Sequence, residues 1–181
     1  IVHYINQFYA GKGGEDKADY RPESVAGPVG PGTEIARLPK ALGGEAEIVG
    51  TVICGDSYYG ENIEEARKTC LGMIEAFKPN LLIAGPAFNA GRYGVACGDI
   101  AVSTGEKLGI PVVAGMYKEN PGVELYGKGC YIVPNSESAR SMKSDLAAMT
   151  GPGLKLAKKE PMGPARKEGY FSRGTRKCFI K

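Results

Sequence analysis

Short apolar runs, separated by polar turns and amphipathic segments, organise most of this chain. Each run is only a few residues long and is bounded by glycine, proline or polar residues, which is typical of buried strands. Most of them are apolar throughout, a pattern that favours strands of a parallel sheet covered on both faces. The runs occupy residues 1–5, 47–54, 81–84, 110–115 and 129–133.

Longer segments between these runs carry apolar residues at spacings of three and four, which predicts helices with one buried face. Asn62, followed three residues later by Glu65, predicts an N-cap with a capping-box partner at the start of the first helix. The predicted helices cover 63–77, 95–108 and the segment from Asn135 or Ser136 to Gly151.

The alternation of short strands with helices predicts the fold class. Strand–helix–strand units of this kind build a parallel sheet with helices on both faces. We therefore expect an open three-layer α/β/α fold with a mostly parallel sheet, flavodoxin-like or Rossmann-like. Residues 1–150 are predicted to form this α/β domain. Residues 151–181 form a basic C-terminal extension: a solvated tail, an arm onto another subunit, or a linker to a second domain that this sequence lacks.

One long segment interrupts the regular pattern. Residues 11–44 are rich in glycine, proline and charged residues and show no sustained period. Within it, Thr33 to Leu42 predicts a short helix interrupted at Pro39. Long loops inside a compact domain tend to be either functional or disordered. We expect a long irregular excursion after the first strand, which covers one edge of a ligand crevice or forms a subunit contact.

Composition and charge exclude several classes of partner. The chain has 181 residues, 23 of them basic and 20 acidic, for a net charge of +3. That excess is too small to indicate nucleic-acid binding by itself. No apolar run approaches the ~20 residues that a membrane-spanning helix needs. The given sequence starts at Ile1 without a secretory signal, and it does not reveal whether it is complete or a fragment.

The cysteines and the single histidine argue against a metal site. The five cysteines are widely and irregularly spaced, and His3 is the only histidine, so the paired spacing of a zinc site is missing. Scattered thiols fit a reducing compartment, and we expect the chain to be cytoplasmic. The default interpretation of each cysteine is a small buried hydrophobic residue. Cys54 at a strand end and Cys97 at the start of a predicted helix are weak candidates for a redox role, because a helix N-terminus favours the thiolate.

The segment from Asn80 to Cys97 is the strongest candidate for ligand binding. It reads as strand, glycine-rich turn and helix, the arrangement that lines a ligand crevice in an open α/β sheet. Backbone N–H groups at the helix start lack internal partners and favour an anion, and Arg92 adds a planar, permanently charged fork. The alternative is a turn that only redirects the chain. G-x-G-x-x-G is absent from this turn and a P-loop motif is absent from the chain, which argues against ordinary nucleotide binding.

Loops that follow four predicted strands should meet at one edge of the sheet, where such folds bind ligands. We predict that Arg92 holds a carboxylate there, that Asp56 or Glu119 faces an ammonium group, and that Tyr58 or Tyr93 stacks on it. An equally weighted alternative is that Arg92 and Asp56 pair with each other and fix the loops. The candidate binding residues are Asn6, Gln7, Asp56, Tyr58, Asn89, Gly91, Arg92, Tyr93, Gly94, Glu119 and Asn120.

Six stretches also resemble a known family. The most specific, residues 84–98, reads Ala-Gly-Pro-Ala-Phe-Asn-Ala-Gly-Arg-Tyr-Gly-Val-Ala-Cys-Gly. Together they resemble the N-terminal part of the substrate-binding component B subunit, selenoprotein B, of the glycine, sarcosine and betaine reductases. The resemblance covers nearly the whole chain. The other stretches are residues 2–8, 43–49, 53–56, 109–113 and 115–122.

The resemblance implies a role in a multi-subunit oxidoreductase of amino-acid-fermenting bacteria. In that family a reductase removes the amine from glycine, sarcosine or betaine with electrons from thioredoxin and forms acetyl phosphate. The implied partners are a pyruvoyl-containing component B subunit, selenoprotein A and component C. The family's selenocysteine lies in a later half that this sequence lacks, so the resemblance implies substrate binding and assembly and no cofactor in this chain. It assigns no catalytic residue to any position here.

Two other functions remain open at the level of sequence. The same loops could form a stand-alone module that binds a small anion or a nucleotide without redox chemistry. Alternatively, the excursion over residues 11–44 and the basic extension could hold an oligomer together as a scaffold.

Overall fold

A six-stranded, mostly parallel sheet forms the centre of the fold. The computed structural model describes residues 1–173. The strand order is β2-β3-β1-β4-β5-β6, and every neighbouring pair is parallel except β2 and β3. Val2 of β1 is paired with Gly50 on one side and Leu82 on the other. The strands are β1 (Val2–Ile5), β2 (Glu23–Ala26), β3 (Gly50–Ile53), β4 (Leu82–Ala84), β5 (Val112–Met116) and β6 (Tyr131–Pro134).

Helices cover both faces of this sheet, which confirms the predicted three-layer α/β/α fold. One apolar core joins the sheet to α3, α4 and α5, and α6 packs on α5. A second core on the opposite face joins the sheet to α1, α2 and α7. The helices are α1 (Gly32–Ile35), α2 (Leu38–Ala41), α3 (Asp56–Glu61), α4 (Ile63–Ala76), α5 (Gly91–Leu108), α6 (Pro121–Tyr126), α7 (Met142–Ala157) and α8 (Ala165–Glu168).

The apolar pattern explains how these layers pack. Successive side chains of β1 point to opposite faces, so Tyr4 enters the first core while Ile1, just before the strand, enters the second. On α4, Ala66, Cys70 and Ile74 are buried at spacings of four residues and face the sheet. A sheet buried on both faces accounts for strands that read as continuous apolar runs.

The long excursion after β1 is present, and it contains short regular elements. It includes a 3-10 turn over Glu15–Lys17, the edge strand β2, and helices α1 and α2, in which Ile35 and Pro39 are buried. The sequence hides β2 because an edge strand needs few apolar residues. Val25 is only partly buried, and the residues on either side of it are exposed.

Other elements differ from the sequence prediction at their ends. Helix α5 begins at Gly91, one turn earlier than predicted, and α7 continues past Gly151 to Ala157. Asn62 stands at the start of α4, but its amide donates to the Tyr58 carbonyl at 3.1 Å, so the predicted capping box does not form. Residues 55–60 and 116–122, predicted as loops, contain helix α3 and the start of helix α6.

Part of the basic extension packs on the domain. The Phe171 backbone N–H donates to the Ile132 carbonyl at 2.8 Å, and the Arg173 guanidinium donates to the Lys128 carbonyl at 3.1 Å. Residues 174–181, which include Cys178, lie outside the described residues. The division of the chain at residue 150 stays a prediction. Within residues 1–173, no helix has the length and apolarity required to cross a membrane.

Candidate functional site

The strand order creates a crevice between β1 and β4. After β1 the chain passes through edge strand β2 to β3, which lies on one side of β1. It then crosses to β4 on the other side of β1 and continues outward to β5 and β6. Loops therefore leave the two central strands, β1 and β4, in opposite directions. Ligands of open α/β sheets bind outside the carboxyl ends of the strands at this switch point. At this edge the amide of Asn6, after β1, donates to Oδ2 of Asp56, after β3, at 3.0 Å. The structure therefore brings these two predicted residues together.

A cavity of about 380 Å³ opens beside Asp56, between α3, the start of α4 and the first turns of α5. Its volume lies near the lower end of the ~300–1,000 Å³ typical of small-molecule sites. Asp56 and Arg92 are the charged residues that line it. The other lining residues are Tyr59, Gly60, Ile63, Gly91, Val95, Ala96 and Pro121.

The carboxylate of Asp56 is only partly satisfied. Its Oδ2 accepts the Asn6 hydrogen bond, whereas its Oδ1 is buried and has no hydrogen-bond partner among the described residues. Burial raises the pKa of Asp56 to about 6, against the opposing effects of the Asn6 hydrogen bond and the Arg92 charge. At neutral pH the group is thus mostly ionised, and its buried Oδ1 lacks a hydrogen-bond donor in the described part of the chain.

Arg92 lies in the first turn of α5, with 58% of its side chain exposed. Its Nη1 donates to the Ser57 hydroxyl at 2.5 Å, and its Nη2 contacts the carboxylate of Glu15 on the excursion. Among the described ion pairs Arg92 is joined to Glu15 and not to Asp56, so the predicted direct pairing of Arg92 with Asp56 does not occur. The guanidinium remains at the mouth of the cavity, where it can reach an incoming anion.

The predicted backbone anion site is smaller than the sequence suggested. The Gly94 N–H already donates to the Ala90 carbonyl at 2.8 Å, as expected inside a helix. At Ser57 and Tyr58, in the first turn of α3, the N–H groups both donate to the Ala18 carbonyl. In α5, the N–H groups of Gly91 to Tyr93 in the first turn have no backbone partner among the described residues.

Asn120 and Tyr93 are buried and support the loops around the cavity. Asn120 accepts from the Gly122 N–H and caps α6, while its amide donates to the Phe88 and Ala90 carbonyls at 3.0 Å each. Tyr93 stacks on Tyr9 with ring centroids 5.8 Å apart. Neither Asn120 nor Tyr93 lines the cavity.

The other predicted binding residues also lie apart from the cavity. Gln7 is buried and its amide donates to the Gly14 carbonyl at 3.1 Å. Tyr58 is partly buried against the first core, while Asn89 and Glu119 are exposed. Of the two acidic residues predicted to face an ammonium group, only Asp56 lies in the cavity wall.

The cysteine candidates are buried in the core. Because α5 begins at Gly91, Cys97 lies in the second turn and not at the helix start. Burial raises the pKa of the Cys97 thiol well above its usual value, which disfavours the thiolate that a redox role requires. Cys54 is also fully buried. Within residues 1–173, no group of three or more His, Cys, Asp or Glu side chains could hold a metal ion.

Sequence reasoning missed a buried carboxylate network behind the cavity. Asp99 accepts two hydrogen bonds from the Arg67 guanidinium, at 2.9 and 2.7 Å, one from the Tyr59 hydroxyl at 2.5 Å and one from the Tyr126 hydroxyl at 3.2 Å. These four side chains join α3, α4, α5 and α6. The sequence did contain one signal for this network, because Asp99 is a charged residue among the apolar positions of a predicted helix.

The family model and the similar proteins all point to one family. All of residues 1–181 match the family model described as "Glycine/sarcosine/betaine reductase selenoprotein B (GRDB)". The chain is 56% identical, over 99% of its length, to the glycine reductase complex component B subunit gamma of Carboxydothermus hydrogenoformans. It is 53% identical, over 99% of its length, to the sarcosine reductase complex component B subunit beta of Peptoclostridium acidaminophilum. It is 44% identical, over 97% of its length, to the betaine reductase complex component B subunit beta of the same organism.

The chain spans 41% of the glycine and sarcosine reductase subunits and 39% of the betaine reductase subunit. No solved structure matches it. A family model that matches every residue, together with these identities, confirms the resemblance read from the loop stretches. The chain belongs to the selenoprotein B family of the glycine, sarcosine and betaine reductases.

Proposed function

We propose that this chain forms the amine-binding and assembly part of component B in a glycine, sarcosine or betaine reductase complex. The observation that carries the proposal is the cavity at the carboxyl edge of the sheet, which has Asp56 in its wall and Arg92 at its mouth. An amino acid or a betaine presents opposite charges on its two ends. The cavity offers one charge of each sign and otherwise mainly apolar contact.

The charges of the cavity match such a ligand in a defined orientation. Arg92, with the N–H groups of Gly91 to Tyr93, would hold the carboxylate in place of Glu15. Asp56, in the cavity wall, would pair with the ammonium group once its carboxylate, whose Oδ1 is buried and unpartnered among the described residues, turns toward the ligand. The Ile63, Val95 and Pro121 side chains would contact the methylene and any N-methyl groups.

The wider reaction belongs to the assembled complex in this proposal. Reductive removal of the amine, with thioredoxin as electron source and acetyl phosphate as product, would use a pyruvoyl group in a partner subunit and a selenocysteine that is not among residues 1–181. Selenoprotein A and component C would be further partners. What this chain's residues supply is binding and orientation of the amine; the buried cysteines Cys54 and Cys97 are not assigned a step.

Calorimetric titration of this chain with glycine, sarcosine and betaine tests the proposal. We expect at least one of the three to bind, and we expect Arg92→Ala and Asp56→Asn each to weaken that binding about tenfold or more, as loss of a charge-assisted contact of roughly 1.5–3 kcal/mol requires. Arg37→Ala is the matched control, because Arg37 also forms an exposed pair with a glutamate, Glu34, but lies far along the excursion on the opposite face.

The outcome separates the competing functions. Binding that is lost in the Arg92 and Asp56 variants but retained in the Arg37 variant supports the proposal. A wild-type chain that binds none of the three amines contradicts it. A thermal shift with nucleotides and not with amines would instead favour the stand-alone binding module.

A further inference from the structure

We infer that the Glu15 carboxylate is a tethered competitor for the carboxylate of the amine ligand, so that the excursion limits the affinity of the cavity. This inference deepens the proposed function and rests on it, because it assumes that Arg92 receives a ligand carboxylate. The observation that carries it is the ion pair between Glu15 and Arg92, the cation at the mouth of the cavity. A glutamate side chain ends in the same group as the carboxyl end of an amino acid, so both would bind the guanidinium alike.

The Arg92 guanidinium is held from two sides. Its Nη1 donates to the hydroxyl of Ser57, a residue of α3, at 2.5 Å. Its Nη2 contacts the Glu15 carboxylate. The Ser57 hydroxyl is neutral and does not compete with an anion, so it can stay bound to the guanidinium while a charged group is exchanged. A ligand carboxylate would therefore replace Glu15 and leave the contact with Ser57 in place.

The backbone on either side of Glu15 is anchored to the domain. Just before it, the Gly14 carbonyl accepts a hydrogen bond from the Gln7 amide at 3.1 Å. Three residues after it, the carbonyl of the buried Ala18 accepts two N–H groups in the first turn of α3, at 2.9 and 3.1 Å. These anchors keep the Glu15 side chain within reach of Arg92. An anion tethered in this way has a high effective concentration, so it competes with the ligand in every molecule.

The Glu15 side chain can leave Arg92 at little cost. It is 78% exposed, the Arg92 side chain is 58% exposed, and Arg92 is the ion-pair partner of Glu15 among the described residues. Exposed ion pairs are weak, because water screens the charges and two long side chains must be held in one geometry. Displacement breaks one such contact, returns Glu15 to water and leaves the backbone anchors intact. The pair therefore lowers the affinity for a ligand without closing the cavity.

Glu15→Gln tests this inference, because it keeps the length of the side chain and removes its charge. In calorimetric titration, we expect the amine that binds wild-type protein best to bind this variant about three- to fivefold more tightly, the upper part of what an exposed ion pair contributes. Asp16→Asn is the matched control. It removes the same charge from the next residue of the same 3-10 turn, and Asp16 forms no ion pair within residues 1–173. Its affinity should stay within about 1.5-fold of wild type, since salt screens exposed charges that are not in contact.

Two further measurements separate competition at Arg92 from a general effect of charge. The binding that remains in Arg92→Ala protein should not be tightened by adding Glu15→Gln, because no guanidinium is left for the carboxylate to occupy. In wild-type protein labelled with carbon-13 at the glutamate carboxyl groups, the Glu15 resonance is identified by its loss in Glu15→Gln. It should shift when the amine saturates the protein, because the carboxylate leaves its cationic partner.

Several outcomes would overturn the inference. Equal tightening by Glu15→Gln and Asp16→Asn would indicate a general effect of charge, and weaker binding by Glu15→Gln would mean that Glu15 helps to orient Arg92. A Glu15 resonance that does not move at saturation would also contradict displacement. If Arg92→Ala weakens binding while Glu15→Gln has no effect, the proposed function stands and the competitor role of Glu15 falls. If neither wild type nor Glu15→Gln binds any of the three amines, both fall.

Discussion

Gly94 of α5 lies directly against the carboxamide of Asn120. A Cβ built on Gly94 would come within 2.1 Å of Oδ1 and 2.3 Å of Nδ2 of Asn120. The same carboxamide caps α6 and binds the Phe88 and Ala90 carbonyls of the turn before α5. Glycine at this position therefore lets one side chain hold together the turn, the helix start and the neighbouring helix that border the cavity.

Gly94→Ala should destabilise the fold by about 1–3 kcal/mol, the usual cost of forcing an extra methyl group into a packed interior. Urea unfolding would measure the change. The matched control is Gly72→Ala on α4, where the space around the Cβ is open. That control should instead stabilise the protein by up to about 1 kcal/mol, since alanine favours helix. Equal effects of the two substitutions would contradict the packing described for Gly94.

The Asp99 network predicts a second stability effect. Arg67→Met should cost about 2–3 kcal/mol, because it leaves a buried carboxylate without its guanidinium. This is less than the ~3–5 kcal/mol found for fully buried pairs, since 34% of the Arg67 side chain is exposed and two tyrosine hydroxyls remain on Asp99. Lys68→Met, at the exposed neighbouring position, should change stability by less than ~0.5 kcal/mol. Denaturant unfolding that shows no difference between the two variants would contradict this role of Asp99.

Two buried groups should make the stability depend on pH in opposite directions. Burial lowers the pKa of His3 to about 4, so its neutral form contributes stability that is lost as pH falls from about 6.5 through about 4. Burial raises the pKa of Asp56 to about 6, so its protonated form contributes stability that is fully present below the ordinary value of 3.8 and is lost as pH rises through about 6. The effects of His3 and Asp56 on stability oppose each other over the pH range that they share, from about 4 to about 6.

Asp56→Asn should therefore expose the effect of His3. Between about pH 6.5 and about pH 4, the variant should lose stability more steeply than wild-type protein, by up to about 3 kcal/mol over the whole window. Unfolding in urea at a series of pH values measures this difference. Asp16→Asn, at an exposed site on the excursion, should follow the wild-type curve. Parallel curves of stability against pH for wild type and Asp56→Asn would contradict the raised pKa of Asp56.

Amine binding should show its own pH dependence if Asp56 pairs with the ammonium group. Protonation of Asp56 removes the negative charge, so affinity should fall about tenfold per pH unit below about pH 6. Titration calorimetry on wild-type protein and on Asp56→Asn would measure the change. The variant should bind weakly at every pH and show no such slope. A wild-type affinity that stays constant down to about pH 4.5 would exclude Asp56 as the partner of the ammonium group.

The buried thiols should be inert in the folded protein. Cys54, Cys70, Cys97 and Cys130 are all buried, and burial raises the pKa of the Cys97 thiol. We expect iodoacetamide to leave these four unmodified in native protein and to modify them in urea, as peptide mapping by mass spectrometry would show. Cys97→Ala should retain amine affinity within twofold. Rapid native alkylation of Cys97 would restore it as a candidate redox residue.

Local sequence signals predicted the layers of this fold better than their boundaries. Short apolar runs and a helical apolar face persist whatever the surroundings, so helix α4 and all strands except β2 were predicted. Edge strand β2 and helix α3 were missed because their stability comes from neighbours. Residues 23–26 pair with β3, and the first N–H groups of α3 bind the Ala18 carbonyl, a residue of the distant excursion.

The sequence by itself determined the family, the parallel sheet and the edge at which Asn6, Asp56 and Arg92 gather, because each depends on order along the chain. Only the tertiary structure decided which of those residues share a cavity. It buried Cys97 and Asn120, joined Arg92 to Glu15, and brought Tyr59 to Asp99, 40 positions apart. Side-chain contacts between separate elements depend on packing distances and solvent exclusion, and neither is encoded in local spacing.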